Sequence, residues 1–181
     1  MEIFVSMLRG INVGGRKKVS MKELAEIYLK LKFENIITYV NSGNVIFSAN
    51  RQDNMSLAQE IERSILNYFG FEVPVIIRSA GEMKMITGSN PFLPDKSDEL
   101  DFLHVTFLSG KPTKTELERI NSYNYHPDKF LIKNREIYLF CPGGYGRTKL
   151  NNTFFESKLN LTATTRNWKT VNELLKITGT I

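Results

Sequence analysis

The chain has 181 residues, 41% hydrophobic and 24% charged, with a net charge of +5 at pH 7 and a pI near 9.3. That composition supplies a core for one domain or two small ones. It excludes a disordered, collagen-like or disulfide-stapled chain, since no low-complexity run occurs and Cys141 has no second cysteine to pair with. Charge is uneven: residues 1–32 hold seven Lys/Arg against three Asp/Glu, and residues 147–181 hold six against two. Each end therefore carries +4 and the middle −3 of the total, with its acid gathered in "LPDKSDELD" at 93–101. Basic surfaces of this kind favour an anionic partner.

"MEIFVSML" opens the chain with an early acidic residue, no basic lead-in and an apolar run too short for a signal peptide or membrane span. The expectation is a cytoplasmic protein with no membrane association. Residues 2 to 8 alternate as a strand does, with Ile3, Val5 and Met7 on one face and Phe4, Ser6 and Leu8 on the other. A helix follows from about residue 21; Ser20 is its expected cap, Glu23 completes a capping box, and Val19 with Leu24 forms a hydrophobic staple. "ENIITYV", "NSGN" and "VIFSA" read as two strands joined by a turn at Ser42 and Gly43. Ile61, Ile65, Leu66 and Phe69 give residues 55 to 69 a helical face that Gly70 closes, and "VPVIIR" is a further strand. Strand, helix, two strands, helix, strand is the ferredoxin-like order.

A short helix at residues 80 to 87 and the loop "GSNPFLPDKSDE" precede a second round. "DFLHVTFL" is a strand, "KTELERINSY" a helix, and "FLIK" with "EIYLFC" a hairpin turning at Asn134 and Arg135. Helices then stand where the closing strand is expected: "TFFESKL", opened by a Thr153 to Glu156 capping box, and "NWKTVNELLKI", with Trp168, Val171 and Leu175 on one stripe. The fold class is α+β: two ferredoxin-like halves, the second modified with extra C-terminal helices. The boundaries are residues 1–79 for the first half, 80–100 for a connecting helix and loop, and 101–181 for the second. A single continuous sheet is the alternative.

Two glycine-rich basic loops are the candidate sites. In "MLRGINVGGRKKVSMKEL", residues 7 to 24, a strand hands over to a helix start, where amides and the helix dipole favour an anion. Gly10, Gly14 and Gly15 allow close backbone approach, while Arg9, Arg16, Lys17 and Lys18 add charge. This is no P-loop, because Arg16 and Lys17 stand where Lys and Ser/Thr are required, and the capping Ser20 competes for the same amides. The second loop, "CPGGYGRTKLNN" at 141–152, offers Gly143, Gly144 and Gly146 as free backbone, Tyr145 for stacking, and Arg147 and Lys149 for anionic oxygens. A solvated turn is the competing reading of both.

Other chemistry finds little support. His104 and His126 lack metal-ligand spacing with each other or with Cys141, so no metal site is assigned. His104 alternates away from Leu103, Val105 and Phe107 and reads as an ordinary strand histidine, the alternative being a base that faces solvent or a cleft. Cys141 reads as buried, and Asp95, Asp98, Glu99 and Asp101 as a solvated acidic loop without EF-hand spacing. Phe4, Phe47, Phe102 and Tyr138 are candidates for an RNA-stacking sheet face, without an RNP1 pattern to support it.

At "LRGINVGG", "TYVNSGNVIF" (38–47) and "TTRNWKTVNELL" (164–175), in that order over nearly the full length, the chain resembles the bacterial domain of unknown function 1697 family. Asn41 stands where glutamine is commoner in that family. The resemblance implies a two-part α/β protein of bacterial origin with no assigned catalysis. It draws attention to Arg9, Gly10, Asn12, Gly14 and Gly15, to Asn41, Ser42, Gly43 and Asn44, and to Arg166, Asn167 and Trp168. Amides, guanidinium groups and glycine backbone bind and orient, and none transfers protons at neutral pH. The leading expectation is a binding protein for a phosphorylated or anionic ligand, a nucleotide or nucleic acid, with the cofactor unknown. The alternatives are an enzyme acting on a small phosphorylated metabolite through His104 or Tyr145, and a homo-oligomeric interaction module.

Overall fold

In the computed structural model, which describes residues 1–50, 53–93 and 97–181, strand β1 (Glu2–Leu8) lies inside an antiparallel sheet of order β2-β3-β1-β4. Helix α1 (Met21–Lys30) leads to the hairpin β2 (Glu34–Tyr39) and β3 (Asn44–Ala49); α2 (Asn54–Phe69) leads to β4 (Val75–Ser79), and α3 (Ala80–Thr87) follows directly. Phe4, Leu8, Val45, Phe47, Val75 and Ile77 form a core with Leu24 and Ile27 of α1 and Leu57, Ile61 and Ile65 of α2. Phe33, Phe47 and Phe4 stack in succession at 4.7 and 5.8 Å, and Tyr28 meets Phe47 edge-on at 5.2 Å. Burying each such ring stabilises the fold by about 2–3 kcal/mol. The Tyr28 hydroxyl reaches this interior because Ser6 Oγ bonds it at 2.7 Å, and burial raises its pKa despite that bond. Val5, Met7, Ile46 and Ile76, on the opposite face, are equally buried.

The second round is β5 (Leu103–Leu108), α4 (Lys114–Asn121), the hairpin β6 (Lys129–Lys133) and β7 (Glu136–Phe140), α5 (Asn152–Leu159), β8 (Ala163–Asn167) and α6 (Trp168–Thr178). Its sheet order, β6-β7-β5-β8, repeats the first. Pairings repeat as well: Val5 faces Arg78 as Val105 faces Arg166. Leu108, Ile137, Leu139, Cys141, Phe155, Leu159 and Ala163 make its core. By contacts the chain separates into two units, Met1–Met85 with Glu173–Ile181, and Ile86–Asn172. The described residues form two separate sheets, not the single continuous sheet of the alternative.

Several local expectations are corrected. The closing strand exists: β8 pairs with β5 from Ala163↔Leu108 to Asn167↔His104. Threonines, which suit a pleated strand without giving an apolar alternation, disguise it. Neither expected capping box forms: Ser20 has cap backbone geometry but no side-chain cap bond, and α5 is capped by Asn151, not Thr153. The capping box lies at Thr113 and Glu116 of α4. On α2 the inward row runs through Leu57, Ile61 and Ile65, with Leu66 39% exposed; on α6 Leu174, not Leu175, joins Trp168 and Val171 inside. Phe4, Phe47 and Tyr138 are buried, which removes the proposed RNA-stacking face. The acidic cluster of 95–101 lies partly outside the described residues, Asp95 among them.

Candidate functional site

The loop leaving β1 is built by contacts from distant parts of the first unit. Leu8 N–H donates to Gly43 O and Arg9 N–H to Pro74 O, both at 2.8 Å, so neighbours on both sides hold the strand as it ends. Asn12, at φ 55, then clamps the loop. Its Nδ2 donates to Val19 O at 2.9 Å and to Asn41 O at 2.8 Å, and its Oδ1 accepts Val19 N–H at 2.9 Å. Between Val13 and Arg16 the chain reverses through Gly14 and Gly15 at φ +60 and +74, a pair of left-handed positions that glycine supplies without strain. Lys17 Nζ closes the far side on Glu72 O at 2.6 Å. Beneath this lies Gly43 at φ +76, where a Cβ would stand 2.6 Å from Ile11 Cδ1 and 2.8 Å from Leu8 Cβ.

This frame delivers the start of α1 to the surface. Ser20 is extended (φ −71, ψ 134) and makes no side-chain cap bond. Glu23 does not fold back to complete a box; its carboxylate accepts from Tyr68 Oη at 3.3 Å. The first intrahelical bond is Leu24 N–H to Ser20 O, so the preceding amides of the first turn have no carbonyl partner within the helix. An open cleft of about 530 Å³ adjoins this turn, lined by residues including Asn12, Gly15, Lys18, Ser20, Met21 and Asn41. Arg16 and Lys18 are exposed.

The residues singled out in the sequence therefore divide. Gly15 and Asn41 line the cleft with Asn12, whose amide hydrogens are already used in the clamp. Gly10, Gly14, Arg16, Lys17 and Ser42 are exposed and Arg9 is half-buried. Asn44 is fully buried and donates to Tyr39 O and Ser42 Oγ, both at 3.0 Å, so it shapes the turn and reaches no ligand. Arg166 is buried, with Nη1 on Thr164 Oγ1 and Thr165 O at 2.9 Å. Asn167 caps α6 through Thr170 N–H at 2.7 Å. Val19, Ser20 and Met21 also line the cleft, and Glu72 and Pro74 fix its loop; only the expected cap at Ser20 hinted at the former, and nothing local marked the latter.

The second loop belongs to the second unit, where Arg147 and Lys149 are exposed. Tyr145 stacks on His104 with ring centroids 4.7 Å apart and planes at 22°. His104 is thus covered, 9% exposed, and burial lowers its pKa against a small opposing effect of the Phe102 carbonyl. It is a covered strand histidine, and the alternative of a solvent-facing base falls. Burial, then the charge of Asp128, pushes the Cys141 thiol up to about 11, with Thr148 opposing; it is no thiolate nucleophile at neutral pH. Among the described residues no group of three or more His, Cys, Asp or Glu is placed to hold a metal ion, and no helix is long and apolar enough to cross a membrane.

Comparison with solved structures gives a likeness to the conserved bacterial protein SP0830 from Streptococcus pneumoniae, with a TM-score of 0.75 over 97% of this chain and 98% of that one. At 22% identity the likeness speaks to the fold alone. No curated protein matches. Residues 1–138 match the family described as protein of unknown function (DUF1697), and the chain belongs to that family.

Proposed function

We propose that this protein binds a phosphorylated or otherwise anionic small molecule, of the size of a nucleotide, in the cleft at the start of α1. The observation that carries the reading is the uncapped helix start. In every other α-helix among the described residues a side chain accepts a first-turn amide: Asp53 for α2, Ser79 for α3, Thr113 for α4, Asn151 for α5 and Asn167 for α6. Such amides need a partner, and an anion at the positive end of the dipole is a favourable one. Lys18 at the cleft and Arg16 on the adjoining turn add charge. The second unit supports the contrast. Its equivalent connection, 109–113, departs in the same way, with Leu108 N–H on Arg135 O and Ser109 N–H on Thr162 O, yet it is short and ends in a complete capping box. The long glycine loop is thus an addition to a connection that the fold makes without it.

The test is thermal-shift and calorimetric titration with inorganic phosphate, nucleotides, sugar phosphates and short single-stranded RNA. Ligand at a hundred times its dissociation constant adds about 2.7 kcal/mol of stability. A selective, saturable shift that Arg16→Ala with Lys18→Ala weakens at least about tenfold, without lowering the melting temperature of the free protein, is expected from two charge-assisted contacts. No shift with any of these probes overturns the reading.

A further inference from the structure

We propose that residues 142–147 form a hinged cover whose Tyr145 ring closes over His104, and that protonation of His104 lifts it. The segment is a self-contained turn. Its backbone bonds close on itself: Gly144 N–H to Cys141 O, Arg147 N–H to Gly144 O and Thr148 N–H to Tyr145 O. Both ends are anchored. Cys141 N–H donates to Phe102 O at 2.9 Å, and Thr148 Oγ1 donates to Asp128 Oδ2 at 2.6 Å while accepting Leu150 N–H. Nothing stands within 4 Å of where a Cβ would lie at Gly143, Gly144 or Gly146, so neighbouring atoms do not crowd the segment at these positions. Tyr145 also packs against the core of the second unit, so rotation about the anchored ends carries the ring out of that contact as well as off His104, while the β5 ladder stays paired.

His104 links this motion to pH. Its ring lies under Tyr145, with Nδ1 3.3 Å from the same Phe102 carbonyl that holds Cys141. The residues paired with it are Leu139 of β7 and Asn167 of β8, neither titratable. Glu136 and Arg166 pair with Phe107 and Val105 and so belong to the other face of the sheet. Arg147 of the segment and Asp101 before β5 are exposed, and burial is the main cause that lowers the His104 pKa. Among the described residues, the titratable groups at the covered region are the Tyr145 phenol, the Cys141 thiol and the Asp128 carboxylate, which holds Thr148 and raises the thiol; Asp128 stays in His104→Gln, so its titration affects both proteins alike. Closure therefore disfavours the imidazolium through lost hydration, whereas opening restores its water. Each pH unit below about 6.5 raises the open population by up to tenfold, until the value of the covered ring is reached.

Cys141, the single cysteine and fully buried at the base of the segment, reports the opening. Its reaction with an aromatic disulfide reagent is to be followed across pH in the full chain and in His104→Gln, which cancels the thiol's own titration. The wild-type to variant rate ratio should be near one above neutrality and rise up to about tenfold per pH unit below about 6.5; a flat ratio overturns the proposal. Hydrogen exchange should show residues 143–147 losing protection while β5 keeps it, and loss in both together also overturns it. If His104→Gln fails to fold, Tyr145→Ala serves: His104 should then titrate at the ordinary imidazole value by proton NMR, and a value still depressed refutes the cover.

Discussion

Gly43→Ala isolates the contact on which the candidate site rests. At φ +76 an alanine meets its own carbonyl, at about 1–2 kcal/mol for the left-handed region. Its Cβ would also lie 2.6 Å from Ile11 Cδ1 and 2.8 Å from Leu8 Cβ. The first neighbour is the end of a side chain and can turn, but the second sits at the root of a β1 residue whose N–H bonds Gly43 O, so strand or turn must shift. Overpacking of this kind costs about 1–3 kcal/mol. The sum, about 2–5 kcal/mol, corresponds to roughly 4–20 °C in melting temperature for a chain of this size. Gly14→Ala is the control: its φ of +60 carries the same backbone strain, with nothing within 4 Å of the new Cβ. Denaturant melts of both variants give the difference directly. Equal losses would show that the turn yields freely, and the account of a hairpin pressed against the glycine loop would fall.

Replacing Asn12 by Ala removes three hydrogen bonds at the loop neck; a loss of about 1–3 kcal/mol is expected from partly exposed bonds, read by denaturant unfolding, together with weaker ligand binding in the titrations above. Thr113→Ala should lower stability by about 1 kcal/mol, whereas Ser20→Ala, which breaks no side-chain cap bond, should leave it within experimental error; melting curves of the pair decide. His104 has a folded-state pKa below its unfolded value, so its stabilising effect is present above about 6.5 and is lost as pH falls toward the folded value, at up to about 1.4 kcal/mol per pH unit. Unfolding free energies of wild type and His104→Gln near pH 7 and pH 5.5 should therefore diverge on the acid side, and parallel behaviour would contradict the burial of that ring.

The parts of the structure legible in the sequence are those in which cause and effect lie close along the chain. The turn at Ser42 and Gly43, the end of α2 at Gly70 and the reversal at Asn134 all follow from residues whose backbone preferences act locally. Strand β8 escaped because "ATTRN" buries Ala163 and Thr164 without an apolar alternation. The capping boxes were misplaced because Ser-x-x-Glu and Thr-x-x-Glu patterns are permissive: Glu23 turns to Tyr68, forty-five residues away, and Glu156 accepts Ala163 N–H. For the candidate site, the glycines and cations of 9–18 were visible, but the role of Asn12 was not. Its amide looks available to a ligand until Asn41 O is found beside it.

The glycine loop owes its shape to borrowed partners, and this bears on the order of folding. Its tethers reach twenty-nine residues to Asn41 and fifty-five to Glu72, so the hairpin and the start of β4 must be assembled before the loop has anything to hold. Contacts of such separation carry a closure cost that local turns do not. An excised peptide covering residues 7–24 would keep every glycine and cation of the candidate site and still lack its geometry. In the intact chain, loop amides should gain protection only after those of β1 and β3.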